Sequence, residues 1–451
     1  MADEKKKIII VGAGLVGSLL GVMLGKRGYE VDLYEKRGDQ RKVDADSGRS
    51  INLALSSRGI KALQHAGIYE KVKPLLIPMR GRMLYQTDGS QQFSAYGQRE
   101  HEVIYSVPRG ELNNLMVNEA VVAEPVHVIF DQKCTGVDFE NRIVKFESTA
   151  DGSVSEKPFD LIIGTDGAGS KVRRDLMSAI DGKSTSEFLE HDYKELEIPA
   201  SENGSWQIEK EALHIWPRGG FMLIALPNLD GSFTVTLFLN KEGDPSFESL
   251  KDLASVQEFF KEHFPTAIPL MPNLESDYFD NPSGVLGTVR CSPWFHTDCG
   301  LIMGDASHAI VPFHGQGMNS GFEDCSELIR LLDEYNDEWA AVLPEFGKQR
   351  KPNADAIADM AIENHITMQK GVNDPKYHLK KEIGFELERR FPETFIPRYS
   401  LVMFHNIPYA EAFERGVVQS EILNQLVEGV DEFEKVDFEL AAKLVIEKFG
   451  G

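Results

Sequence analysis

Ile8-Ile9-Ile10-Val11-Gly12-Ala13-Gly14-Leu15-Val16-Gly17 is the stretch on which the fold turns. Four consecutive apolar residues read as a buried strand, and the segment after Gly14 reads as a helix. Gly12 permits the tight turn between them, Gly14 lets the backbone approach a pyrophosphate, and Gly17 lets helix and strand pack closely. The helix N-terminus then offers free N–H groups and a partial positive charge to phosphates. An acid should close the following strand, and Glu35 does so after Glu30-Val31-Asp32-Leu33-Tyr34. A carboxylate at that position favours an unphosphorylated ribose, that of FAD or NAD.

Two later segments repeat the logic. Phe159-Asp160-Leu161-Ile162-Ile163-Gly164 reads as a buried strand running into Thr165-Asp166-Gly167, and Leu301-Ile302-Met303 runs into Gly304-Asp305. The glycine-rich loop Pro312-Phe313-His314-Gly315-Gln316-Gly317-Met318-Asn319 then opens a long helix from Gly317. An aspartate at a strand end can accept from a ribitol hydroxyl, and a helix N-terminus can face the electron-rich end of a flavin ring. In this fixed order the three segments point to FAD. No second fingerprint for a nicotinamide cofactor is visible.

The 451 residues allow two or three domains or one large composite fold. A formal charge of -23 argues against nucleic acid or an anionic membrane as partner. Cys134, Cys291, Cys299 and Cys325 lack metal-ligand spacing, so no metal site is expected; they are too few for a disulfide scaffold and imply a reducing compartment. The start Met-Ala-Asp-Glu-Lys-Lys-Lys leads directly into a strand, and no apolar run reaches membrane-spanning length. A soluble, cytoplasmic protein is expected.

The predicted fold class is α/β, a Rossmann-like FAD-binding fold interleaved with a β-sheet substrate domain and a C-terminal helical region. Residues 1–180 form the FAD-binding portion, with helices from Ser56 to about Gly67 and from Arg109 to Ala123. Residues 181–298 are mainly β-sheet, carried by His214-Ile215-Trp216, Phe221 to Leu226 and Phe233 to Phe238. Residues 299–336 return to the FAD-binding fold, and 337–451 form a helical cap broken at Pro352, Pro392, Pro397 and Pro408.

Together these motifs resemble the single-component FAD-dependent aromatic hydroxylases. Tyr34-Glu35-Lys36-Arg37, Gly48 to Ser56, Ile77-Pro78-Met79-Arg80-Gly81-Arg82-Met83, Leu213 to Arg218 and Thr394-Phe395-Ile396-Pro397 are similar, within them, to the kynurenine 3-monooxygenase family over nearly the whole chain. The eukaryotic members carry a C-terminal membrane anchor and this chain stops without one, so it resembles the soluble bacterial type. The resemblance implies hydroxylation of L-kynurenine to 3-hydroxy-L-kynurenine, within tryptophan degradation and NAD biosynthesis. NADPH would be the electron donor, O2 the oxidant, and a C4a-hydroperoxide on non-covalently bound FAD the oxygen donor. No protein nucleophile is then obligatory, although His314 and Gln316 are loop residues that could assist by hydrogen bonding. A hydroxylase of a simple phenol or benzoate stays open as an alternative, as does a redox-sensing flavoprotein. The sequence leaves the oligomeric state undetermined.

By residue type alone Arg82 reads as a surface cation, Asn364 as a solvated mid-helix residue, and Tyr96 and Tyr399 as core aromatics. The resemblance places all four at substrate-binding positions, where a guanidinium fork suits the α-carboxylate. Arg80 and Arg218 are the next candidates for that clamp. Leu213, Met222, Ile224, Phe238, Pro312 and Phe313 are expected to wall the ring pocket, with core packing as their ordinary alternative. Carried over as FAD contacts are Gly12, Gly14, Val16, Gly17, Glu35, Lys36, Arg37, Ala54, Arg109, Cys134 (through backbone), Asp305, Gly317, Met318 and Asn319. Arg49 is a less certain member of that set.

Overall fold

The three glycine-bearing strands lie side by side. In the computed structural model, which describes residues 6–42, 52–369 and 374–450, Ile8–Val11 sits between Val31–Tyr34 and Leu161–Gly164 in a six-stranded sheet. Gly300–Ile302 pairs on the far side of Leu161–Gly164, and Val126–Ile129 on the far side of Val31–Tyr34. All these pairings are parallel; only the short edge strand Phe295–His296 runs antiparallel. Ile8, Ile9, Ile10, Leu161, Ile162 and Ile163 are fully buried, as expected for strands of a parallel sheet. The register aligns Val11 with Tyr34 and with Gly164, and Gly164 with Ile302. Each motif therefore leaves the same edge of the sheet, where the chain order reverses about the first strand, and ligands of open α/β sheets bind at such an edge.

Packing divides the chain into two units. The first takes residues up to 76, 107–188 and 287–358, and holds this sheet with the helices Leu15–Lys26, Arg109–Val122 and Gly317–Glu334. The second takes 77–106, 189–286 and everything from 359. The hairpin Gly81–Tyr85 with Gln91–Ala95 lies within the first 180 residues but packs in the second unit, because Gly81–Tyr85 pairs in parallel with Ala212–Pro217.

In the second unit a seven-stranded sheet includes Phe233–Asn240, Met222–Pro227, Ala212–Pro217, Gly81–Tyr85 and Gln91–Ala95 in that spatial order. One face carries Tyr85, Trp216, Leu223, Ala225, Val235 and Leu237, packed with Val256, Phe259 and Phe260 from the helix Leu253–His263. Burying Phe233 and Phe260 there contributes roughly 1.5–3 kcal/mol each. His214 lies on the same face, its Nδ1 2.9 Å from the Tyr85 hydroxyl.

From Trp339 onward the described chain is largely helical, and its last helices close on their own cluster around Leu379, Ile383, Phe395 and Ile422. One break was misplaced: Pro352 stands inside the continuous helix Trp339–Gln369, as does Pro344. Each ring removes one N–H from the ladder. At Pro352 the Nδ2 of Asn353 donates to the Gln349 carbonyl at 2.8 Å, a side-chain donor on the turn where a backbone donor is missing.

Candidate active site

The first motif is built as its glycines require. Gly12 has φ +105°, and a Cβ there would fall 2.6 Å from the Thr165 carbonyl oxygen. A Cβ on Gly17 would lie 2.0 Å from the Gly12 carbonyl oxygen, whereas one on Gly14 would meet nothing within 4 Å. The helix Leu15–Lys26 therefore begins beside open space, and no side chain caps it. Glu35, 6% exposed, accepts from the Ala13 N–H at 2.9 Å and from Arg37 Nε at 2.8 Å. The carboxylate is thus fixed at the end of its strand with lone pairs left over for ribose hydroxyls. Ala13, Glu35, Arg37, Arg41 and Phe130 line a cleft there. Lys36 is exposed. Arg49 lies outside the described residues.

The other two motifs differ in how their polar groups are used. Asp166 spends its carboxylate on the helix Lys171–Ala179, accepting from Ser170 Oγ at 2.5 Å and the Lys171 N–H at 2.7 Å. Arg173 ties this motif to the next by donating to the carbonyls of Ala168 (2.6 Å) and Ala306 (2.8 Å). Asp305 is exposed at the start of a short helical turn. Asn319, fully buried, donates to the carbonyls of Ala54 and Gly315, both at 2.8 Å, and accepts from the Ser56 N–H at 2.9 Å. That holds the segment Asn52–Leu55 to the glycine-rich loop and leaves the start of the Gly317–Glu334 helix without a side-chain cap. His314 and Gln316 are buried on this loop. Val16 packs toward Gly304 and Gly321, and Arg109 is exposed at the first position of its helix. Burial pushes the Cys134 thiol up to about 12, so it is no nucleophile at neutral pH. Two uncapped helix starts, an open glycine and a fixed acid fit the two phosphates and ribose of a bound FAD.

No sequence motif marks what anchors the third segment. Asp324, fully buried, accepts from the Gly304 N–H at 3.0 Å, His308 Nε2 at 2.6 Å and Arg350 Nε at 2.8 Å. Arg350 also pairs with Glu323 at 2.7 Å, and Glu323 with Arg58 at 2.5 Å. Burial raises the Asp324 pKa, but His308 and Arg350 more than offset it and hold the group down at about 2.

In the second unit Arg82 is 9% exposed, its guanidinium 5.5 Å from the Tyr96 ring and 5.0 Å from the Tyr399 ring. The two phenol rings stack at 5.5 Å. Arg82 Nε and the Tyr96 hydroxyl have no hydrogen-bond partner among the described residues. Of the alternative cations, Arg80 pairs with Glu211 at 2.7 Å, and Arg218 donates through Nε and Nη1 to the carbonyls of His263 and Tyr85, its Nη2 being buried without a partner among the described residues. Arg398 and Glu363, which precede Tyr399 and Asn364, pair at 2.8 Å and join their helices; the Asn364 amide itself lies 3.5 Å from Met368 Sδ.

Strand register explains the predicted ring wall. Arg82 is aligned with Leu213 and with Ser94, Ile224 with Ile215, and Met222 with Phe238. Side chains alternate along strands, so Arg82, Leu213, Met222, Ile224 and Phe238 share the sheet face opposite the aromatic core. Pro312 and Phe313 belong to the first unit, on the turn before Gly315.

Two residues near Arg82 were missed. Tyr377 and Lys381 stand one turn apart on the helix Pro375–Arg390. Lys381 Nζ donates to Ser94 Oγ at 2.5 Å and to the Ala95 carbonyl at 2.7 Å. Their i, i+4 spacing marks a shared helix face, but nothing in the sequence links that face to Arg82. Among the described residues no group of His, Cys, Asp and Glu could hold a metal, and no helix is long and apolar enough to cross a membrane.

Comparison with known proteins bears on this geometry. The FAD binding domain family matches residues 5–361. The kynurenine 3-monooxygenase of Stenotrophomonas maltophilia is 44% identical over 438 residues, 97% of this chain and 96% of that protein. That of Dictyostelium discoideum is 41% identical over 454 residues, 98% and 97% of the two chains. Among solved structures, 2-methyl-3-hydroxypyridine-5-carboxylic acid oxygenase matches with TM-score 0.66 at 19% identity, over 82% of this chain and 95% of its own. PqsL of P. aeruginosa, in complex with 2-aminobenzoylacetate, matches with TM-score 0.63 at 20% identity, over 82% and 100%. These two establish the fold.

Proposed function

The chain belongs to the kynurenine 3-monooxygenase family of FAD-dependent monooxygenases, and we propose that it hydroxylates L-kynurenine at ring position 3, using NADPH and O2. This membership displaces the phenol-hydroxylase and redox-sensor readings. Bound FAD supplies the redox chemistry, reduction by NADPH and activation of O2. Glu35 would hold the adenosine ribose, the uncapped start of the Leu15–Lys26 helix the pyrophosphate, Asp305 the ribitol, and the backbone at Gly317 and Met318 the flavin ring. Arg82, flanked by Tyr96 and Tyr399, receives the α-carboxylate, and Asn364 completes the head-group set. Leu213, Met222, Ile224 and Phe238 give the aminophenyl ring an apolar floor that keeps water from that side of the ring. The amine already enriches the ring in electrons, so the protein's task is to orient it. The reading carries with it a soluble cytoplasmic enzyme.

The observation that carries the clamp is a buried guanidinium set between two phenol rings, at 5.5 and 5.0 Å, whose Nε lacks a partner, while Arg80 is tied to Glu211 and Arg218 has no such phenol pair around it among the described residues. Arg82→Ala should leave FAD content intact and cost roughly 2–5 kcal/mol of kynurenine binding, as for truncated buried charge pairs. Kynurenine titration of the FAD-loaded protein measures it, alongside the kynurenine-stimulated rate of NADPH oxidation. Parental affinity and 3-hydroxykynurenine yield in the variant would overturn the assignment.

A further inference from the structure

Lys381 is a lysine at the base of the head-group site with no acid beside it. Its Nζ uses two donors, on Ser94 Oγ and the Ala95 carbonyl. Ser94 is aligned with Arg82 across the strand pair, which puts the amine next to the guanidinium. The groups facing this pair are the phenols Tyr96, Tyr377 and Tyr399 and the ring of Phe385, 5.4 Å from Nζ. Carboxylates on this helix and the adjoining segment are engaged with other groups: Glu388 takes Arg99 and Gln98 at 2.8 Å each, and Glu102 takes Arg99 at 2.5 Å. Glu363 takes Arg398. Burial, and after it the Arg82 charge, lower Lys381 to about 7. Two donors satisfy a neutral amine, whereas an ammonium has three, and the third finds no acceptor among the described residues.

We propose that Lys381 is the second cation of the site, donating its remaining N–H to the carboxylate that Arg82 receives, and that binding an amino-acid substrate takes up one proton from solvent at Nζ. This rests on the Arg82 reading of the site. A bound carboxylate favours the ammonium, so Lys381 is held charged to higher pH in the complex than in the free enzyme. Affinity should therefore be full below about pH 7 and fall with rising pH by up to about tenfold per unit, levelling off above the value in the complex.

The test is calorimetric titration of L-kynurenine into the oxidised, FAD-loaded enzyme at pH 7.5 in buffers of different ionisation enthalpy. The parent should take up a substantial fraction of a proton per kynurenine bound. Lys381→Arg, always charged, should bind with no uptake and a flat profile from pH 6.5 to 8.5. Lys381→Met should also show no uptake, with weaker binding at pH 6.5. Decarboxylated kynurenine should bind the parent without uptake, a measurement independent of how the variants fold. Zero uptake in the parent, or undiminished uptake in Lys381→Arg or with the decarboxylated ligand, overturns the proposal. If instead Arg82→Ala retains parental affinity, it is the underlying clamp reading that fails.

Discussion

Replacing Asp324 with asparagine should be among the most damaging single-atom changes in the first unit. The carboxylate is fully buried and accepts three hydrogen bonds, from the Gly304 N–H, His308 Nε2 and Arg350 Nε. An amide keeps one acceptor oxygen and turns the other position into a donor, aimed at a group that is itself a donor. Arg350 would keep Glu323 but lose half of its charge compensation. The folded-state value of about 2, against 3.8 for an ordinary aspartate, alone corresponds to about 2 kcal/mol favouring the ionised native state. Because that value is depressed, the contribution is complete above pH 4 and is lost as pH falls from about 3.8 through about 2. Breaking a buried pair by removing one partner typically costs about 3–5 kcal/mol. For a unit of this size each kcal/mol lowers the midpoint by about 2–4 °C, so a fall of roughly 6–12 °C or more is expected. Thermal unfolding at pH 7, followed by circular dichroism and by flavin fluorescence, measures it. A midpoint within one or two degrees of the parent would refute the reasoning, and so would a parent-like loss of stability between pH 4 and 2 in Asp324→Asn.

Gly17→Ala should yield protein that retains little FAD, since its Cβ would meet backbone, the Gly12 carbonyl, at 2.0 Å; a parental flavin-to-protein absorbance ratio would contradict this. Tyr399→Phe keeps the ring beside Arg82 and removes only the hydroxyl, so kynurenine affinity should fall by about 1 kcal/mol, the scale of a neutral hydrogen bond. A loss equal to that of Arg82→Ala would mean that the phenol is more than an auxiliary of the guanidinium.

What was legible in the sequence was local. Gly12, Gly14, Gly17 and Glu35 declare themselves because the first strand, its turn and the strand that follows all fall between Ile8 and Glu35, with Gly12 and Gly17 answering to steric demands and Gly14 keeping space open. The alternation in Phe233–Asn240 and Met222–Pro227 likewise marks a sheet. Hidden features depend on partners distant in the chain. Asp324 meets His308 and Arg350 across an interval that periodicity does not encode, and Lys381 reaches Ser94 over 287 positions. Arg82 stood out only through resemblance, since an arginine in an alternating strand is ordinarily a surface cation until register shows which face it occupies. Pro352 misled for the opposite reason: local propensity marked a break where tertiary packing carried the helix through.

The two-faced sheet of the second unit also defines how this enzyme could be altered. Leu213, Met222, Ile224 and Phe238 interleave along their strands with residues whose side chains stabilise the other side, such as Trp216, Leu223 and Leu237. Leu213 and Ile224 are only partly buried, whereas Met222 and Phe238 are themselves core residues, so the two pairs differ in what a substitution costs. A combinatorial library restricted to Leu213 and Ile224 would reshape that face while leaving both the aromatic core and the buried pair unmutated.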